Sequence, residues 1–474
     1  MTNQGEIARA VVSGAAATPG PERTAIFEAV RADRDGPVTR LLLELTDAEA
    51  LRTRVAAIEL LCELAEFGQT WPVVGEHAEA YLVDREPSVR VAAATLFVAT
   101  RDAETVSARL PDLADPDVRL AAVTALHARA GTFDETFTRL LEDGDPAVRV
   151  VAALGMLPVE GLPWAWLQAL NEAISADLPA AVRRGGPGAR NWGSAWAWRL
   201  ARHDHEDECQ EIVRRLLADE DPHVRRVGLD MASAAIRLWR TAPVELLPAL
   251  AEVAAGTDPE LRAETLRVLR LSDELWRAAV DLWAAEGGGP VPTGEPAAPA
   301  PIEAVPDLDA VFAARRPPGG RTEVDAWLAE QPIEAVTHRR RVGRALVGLM
   351  ACGGLTERQG RQAMALFEHE TVLKYELAGV VWRHRGALDA GIGDRLVAEL
   401  SAVAGDRYVG EHALPVLADM GRRAVGALPR LTALIEDRRR LPVNDSTAEA
   451  EIRFDETRRA QLVVVRDRIV ADIP

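Results

Sequence analysis

Apolar residues recur along this chain at helical spacing, in short runs whose beginnings and ends are marked. In residues 113–131, LADPDVRLAAVTALHARAG, the side chains of Val118, Ala121, Ala122, Ala125 and Leu126 fall on one stripe. Asp115 suits the N-cap, where a carboxylate accepts from the free N–H groups of the first turn. Pro116 suits the first helical position, and Asp117 sets a negative charge at the positive end of the helix dipole. Gly131 is placed to end the run. The pattern predicts a complete short helix.

The same phrase returns along the chain. DREPSVRVAAATLF carries Pro87, Val89, Arg90, Ala92 and Ala93, and LEDGDPAVRVVAALGML carries Asp145, Pro146, Val148, Arg149 and Ala152. Further copies hold Asp221, Pro222, Val224 and Arg225, then Asp258, Pro259, Leu261 and Arg262. A copy without the proline keeps Arg54, Val55, Ala56 and Ala57. The arginines at 90, 119 and 149 are spaced by 29 and 30 residues, those at 54 and 90 by 36, and those at 225 and 262 by 37. A helix pair with short turns needs about that many residues, so the period predicts stacked helical hairpins.

This phrase, D-P-x-[VL]-R-x-x-A-x-x-x-[LM], resembles the start of the second helix in HEAT repeats, including the short bacterial HEAT-like form. Good copies cover roughly residues 45–275, with Gly228 and Thr265 at the Ala position in the last two. The resemblance implies an all-α fold, a right-handed α-solenoid of stacked HEAT-like hairpins. In that family the Asp and Arg of successive units form a ladder. It thus gives a structural role to Asp115, Asp145, Asp221 and Asp258, and to Arg90, Arg119, Arg149, Arg225 and Arg262.

Two stretches break the pattern. Between Arg149 and Arg225 lies either one divergent unit or an insertion, with the Gly/Pro/Arg loop RRGGPGARNWG. Trp164, Trp166, Trp192, Trp196 and Trp198 fall here, five of the eleven tryptophans within 35 residues. The second break, 286–320, is rich in Pro, Gly and Ala and reads as a linker or a long surface excursion. Helical pattern resumes at about 322, and residues 404–437 resemble another HEAT-like pair with Gly421 between its helices. The last helix reads as the polar-faced cap that a solenoid end requires. The expected organisation is a solenoid over 1–285, a linker over 286–320 and a second helical segment over 321–474.

Composition narrows the function classes. The 474 residues carry a formal charge of −18, which argues against a dedicated DNA- or membrane-surface binder. Lys374 is the single lysine, so nearly all positive charge is arginine. Three distant cysteines, with no basic leader and no apolar run of about 18 residues, predict a cytoplasmic protein without a membrane span.

Candidate chemistry is sparse. RHDHEDEC at 202–209 holds His203, His205, Glu206, Asp207 and Cys209, but reads better as a solvated acidic helix start than as a metal site. HEAT-like di-iron hydroxylases take His-Glu pairs from successive repeats. The pairs here, His205-Glu206 and His369-Glu370, are out of phase with the repeat, and Tyr375 stands where such a repeat has a ligand His. No nucleophile elbow, zinc helix, phosphate loop or dinucleotide fingerprint occurs. No metal and no cofactor is therefore expected.

The expected function is a non-enzymatic adaptor or scaffold that holds a protein partner, with a basic partner favoured by the acidic charge. Trp164, Trp166, Arg183, Arg184, Arg190, Trp192, Trp196 and Trp198 are its expected binding residues, since Trp and Arg dominate binding hot spots. The alternative is a nucleic-acid-binding or base-excising relative of the DNA glycosylase type. It would use the same tryptophans and the arginines of HRRRVGR (338–344), WRHRG (382–386) and EDRRRLP (436–442). Tetrapyrrole lyases share the repeat, but no residue here supports that chemistry.

Overall fold

Proline opens the helices at Pro21, Pro37, Pro72, Pro87, Pro116, Pro146, Pro222 and Pro259. The computed structural model describes residues 4–14, 16, 20–65, 70–129, 134–157, 164–185, 191–202, 204–285, 304–317, 320–333, 338–369, 373–442 and 447–473. Among these, regular structure is helical apart from one antiparallel bridge between Trp239 and Arg439. No helix among them is long and apolar enough to cross a membrane. The protein is an all-α solenoid of helical hairpins, gathered into two compact units: Met1–Ala235 with Pro248–Val268, and Ile236–Leu247 with Leu269–Pro474.

In the first unit, Pro37–Thr46 packs on Leu51–Leu64, Pro72–Tyr81 on Pro87–Thr100, and Asp134–Leu140 on Pro146–Met156. The arginine-bearing helices Leu51–Leu64, Pro87–Thr100, Pro116–Ala128 and Pro146–Met156 pack on one another in turn, and the last packs on Trp164–Arg184. Small side chains let them approach: Ala93, Ala94, Ala122 and Ala152 are fully buried. Val89, Val118 and Val148 anchor the same helices and are at most 1% exposed. Each such burial contributes about 1.5–3 kcal/mol. The two copies that lack the Ala fill its position differently. Thr265 satisfies its hydroxyl on Leu261 O at 2.7 Å. At Gly228 an added Cβ would meet Leu216 Cβ at 3.0 Å, so a larger residue would need its neighbours to give by a few tenths of an ångström.

The predicted helix start is realised in detail. Asp115 caps Pro116–Ala128 by accepting from the Asp117 N–H at 2.9 Å. Arg129 is its C-cap, and Gly131 lies outside the described residues.

The second unit has one continuous apolar core running from Val305 to Ile469. Part of the stretch expected as a linker belongs to it. Asp307 caps Leu308–Ala313 by accepting from the Ala310 N–H at 2.7 Å, and Val305, Leu308 and Phe312 are buried. The apolar i, i+4 spacing of Leu308 and Phe312, within a Pro/Ala-rich composition, makes this short helix. Residues 286–303 lie outside the described set. Gly421 has φ +52°, and an added Cβ would collide with Asp472. This permits the sharp passage from Gly410–Met420 into the 3₁₀ turn Gly421–Ala427 and the helix Leu428–Glu436. The last helix, Ala448–Ala471, packs on Gly410–Met420 and Leu428–Glu436 through Ile452, Leu462, Val465 and Ile469.

Candidate functional site: a charge ladder, two exposed indoles and a charged cleft

The repeated arginines are spent inside the first unit. Four of them donate to a backbone carbonyl six residues earlier: Arg90 to Asp84 O (2.9 Å), Arg119 to Leu113 O (2.6 Å), Arg149 to Asp143 O (2.6 Å) and Arg262 to Gly256 O (2.6 Å). The rest of the guanidinium reaches forward to the next turn. Arg54 pairs with Asp84, Arg90 with Asp115 (2.9 and 2.5 Å), and Arg119 with Asp143 (2.7 and 3.0 Å). Arg149 pairs with Asp177 at 2.7 and 2.6 Å. Bidentate pairs of this kind fix geometry as well as adding energy.

The carboxylates occupy two places. Those directly before the proline cap the helix: Asp115, Asp145, Asp221 and Asp258 accept from N–H groups at 2.9, 2.9, 2.8 and 2.9 Å. Asp84, Asp143 and Asp219, three residues before the proline, close the turn onto the N–H two positions on, at 2.8, 2.8 and 2.9 Å. Arg119 therefore takes Asp143 and not the motif Asp145. Burial pushes the Asp115 carboxyl up, but hydrogen bonds from Arg90 and the Asp117 N–H outweigh it and hold it below its usual range. The last two rungs differ. Arg225 has no carboxylate within 4 Å among the described residues, and its neighbour Arg226 reaches Glu260 at 2.5 Å. Arg262 binds carbonyls alone.

The ladder does not stop at the break after Arg149. Within the single helix Trp164–Arg184 the sequence DLPAAVRR sets Asp177, Pro179, Val182 and Arg183 one residue out of register with the motif. Asp177 receives Arg149, and Arg183 passes to both oxygens of Asp219 (2.8 and 2.9 Å), with Asp221 at 3.4 Å. Arg184 pairs with Asp145 and, at 2.8 Å, with Asp117. Arg183 and Arg184, expected on a binding surface, are thus held in intramolecular pairs.

The tryptophans divide. Trp192 (5% exposed) and Trp196 (0%) lie in the core, where they present no surface to a partner. They repeat at i, i+4 with Leu200 on one buried face of Trp192–Arg202, and Trp196 Nε1 donates to Asn171 Oδ1 at 3.0 Å. Trp166 (44%) and Trp198 (46%) are exposed. Arg190, His203 and the Trp164 side chain lie outside the described residues.

Other candidates of the sequence have structural partners. His205 Nδ1 lies 2.8 Å from Glu208, and among the described residues no three His, Cys, Asp or Glu side chains gather as metal ligands. Burial, then Glu59 and Glu63, push the Cys62 thiol up to about 12, and burial raises Cys209 as well. Burial thus disfavours the thiolate, the nucleophilic form, at both positions. Of the arginine runs, Arg341 stacks on Trp327 (4.7 Å), Arg383 binds Asp419 (2.7 and 2.5 Å) and Arg385 pairs with Glu357.

The second unit holds a feature the sequence reading missed. Asp455, 1% exposed, receives Arg240 at 3.0 and 2.7 Å, Arg440 at 3.1 Å and the Leu441 N–H at 2.9 Å. Arg240 also donates to the carbonyls of Leu434, Ile435 and Asp437, and Arg440 to that of Ile236. Above this knot opens a cleft of about 370 Å³, rimmed by Asp273, Glu274, Arg277, Arg453, Glu456 and Arg459. The signal was present in the last helix, where Asp455 and Arg458 interrupt the apolar stripe of Ile452, Leu462, Val465 and Ile469.

No protein-family model matches the sequence, and no curated protein does. Among solved structures, the chain is similar to Kap121p bound to Pho4p, with 12% identity over 98% of this chain and 50% of that one, at a TM-score of 0.37. It is also similar to the karyopherin Kap121p bound to the extreme C-terminus of the protein phosphatase Cdc14p, with 12% identity over 94% and 48%, at a TM-score of 0.36. A homology model of the full-length AP-3 complex is also similar, with 11% identity over 95% of this chain and 84% of that one, at a TM-score of 0.27. The chain spans about half the length of the Kap121p structures it matches.

Proposed function

We propose that this chain is a HEAT-type solenoid scaffold that holds a protein partner and carries no chemistry of its own. The supporting observation is how its charged and aromatic groups are used. The repeated arginines from Arg54 to Arg149 are paired in the ladder, while Trp166 and Trp198 stand nearly half exposed. Those two indoles lie on helices joined by the Trp196–Asn171 hydrogen bond, and they are the proposed anchors for the partner. A net charge of −18 selects a partner segment rich in Lys or Arg. Three free cysteines suit the reducing cytoplasm.

The test is affinity capture with the full chain and with a Trp166→Ala/Trp198→Ala variant, compared at equal helicity. Near-stoichiometric retention of one protein by the native chain, reduced about tenfold or more in the variant, is the expected result. Retention equal in both chains would remove the indoles from the interface. Nuclease-sensitive material whose retention falls steeply with salt would support nucleic-acid binding instead.

A further inference from the structure

The cleft over Asp455 is built in two layers of charge, and the layers differ in how they are satisfied. In the inner layer Arg240, Arg440 and Asp455 satisfy one another and nearby carbonyls, with side chains 8%, 6% and 1% exposed. This layer is closed to ligands. The outer layer is partly tethered, and among the described residues its one ion pair is the longer contact of Glu456 with Arg440. Arg277 is held by an Nε bond to Asp273 O (3.1 Å) and Arg459 by one to Ile435 O (3.0 Å). Glu456 accepts from Ser272 Oγ at 3.1 Å, with Arg440 Nη2 at 3.7 Å. Arg277, Arg453 and Arg459 have no carboxylate within 4 Å among the described residues, and Asp273 and Glu274 have no cation at that range. Side chains of both signs thus face one cavity, and among the described residues the only ion pair any of them makes is the 3.7 Å contact of Glu456 with Arg440.

The mixture of signs selects the ligand. A plain anion would meet Asp273, Glu274 and Glu456, and a plain cation would meet three guanidiniums. A molecule that carries both charges at short separation satisfies both sets. We propose that this cleft binds a small zwitterion of the amino-acid or short-peptide class. Its carboxylate is held by Arg277, Arg453 and Arg459, and its ammonium by Glu456 with Asp273 and Glu274. The volume of about 370 Å³ accommodates such a molecule with its side chain. Single tethers on Arg277, Arg459 and Glu456 reduce the ordering cost of binding. The site is independent of the scaffold reading, which rests on the other unit.

Calorimetric titration of the full chain with each of the twenty amino acids and with dialanine tests this. At least one should bind saturably. The N-acetyl form of that binder, which lacks the ammonium, and its amide, which lacks the carboxylate, should each bind about tenfold more weakly or worse. An Arg277→Ala/Arg453→Ala variant should lose binding by a similar factor while the ligand-free chain melts at the unchanged temperature. Absence of saturable binding across the panel would overturn the proposal. So would N-acetyl and amide forms that bind as well as the parent, or undiminished binding by the arginine variant.

Discussion

Arg149 holds both carboxylate oxygens of Asp177, at 2.7 and 2.6 Å, and Asp177 lies six residues before Arg183 on one helix. That pair carries the ladder across the stretch where the repeat fades. Arg149→Lys keeps the charge but loses the planar fork that spans both oxygens and Asp143 O. It should destabilise the protein by about 1–2 kcal/mol in urea denaturation, close to the loss from Arg149→Met. Full retention of stability in the Lys variant would show that charge alone matters.

The tryptophans should separate cleanly. Trp196→Ala empties a fully buried site and should cost about 3–5 kcal/mol, enough to unfold much of the first unit. Trp166→Ala should change stability by no more than about 0.5 kcal/mol. Circular dichroism melts of both variants decide the matter.

Asp455→Asn removes the carboxylate that both Arg240 and Arg440 hold, leaving Arg440 only the more distant Glu456 at 3.7 Å. Stripping one partner from a buried ion pair costs about 3–5 kcal/mol, because the remaining charges stay desolvated. A denaturation midpoint near that of the native chain would mean that the carbonyl bonds of Arg240 suffice.

The protein should lose stability in mild acid through His127. Burial, then the neighbouring Arg199, push this imidazole down to about 4. Its Nε2 contacts an Arg199 Nη2 proton donor, which only a neutral ring can accept. The folded chain therefore binds fewer protons than the unfolded chain. The stabilisation is present above about pH 6.5 and is lost as the pH falls toward 4, by no more than about 3 kcal/mol. His127→Gln should flatten thermal midpoints across that window.

Much of the solenoid was legible because its information is local. Asp115, Pro116, Val118 and Ala122 declare a helix start and a packing face within eight residues. The rung at Asp177 and Arg183 was missed because one extra residue after Pro179 shifts the phrase, and a helix absorbs that shift by rotating the side chains. The burial of Trp192 and Trp196 was readable from their i, i+4 spacing with Leu200, whereas composition alone suggested a surface. The Arg240–Asp455 pair joins residues 215 positions apart, a distance over which periodicity carries no signal.

Because Asp143 both closes its own turn and receives Arg119, the number of residues between it and Pro146 is tightly constrained. Among the described residues, the connections that leave the arginine-bearing helices show no carboxylate with this double duty. They run from Leu64 to Pro72, from Thr100 to Ala103 and from Met156 to Trp164, with very different lengths. Tolerance to insertion is therefore one-sided. A residue added between Asp143 and Pro146 would unhook this rung, whereas the departing connections already differ in length.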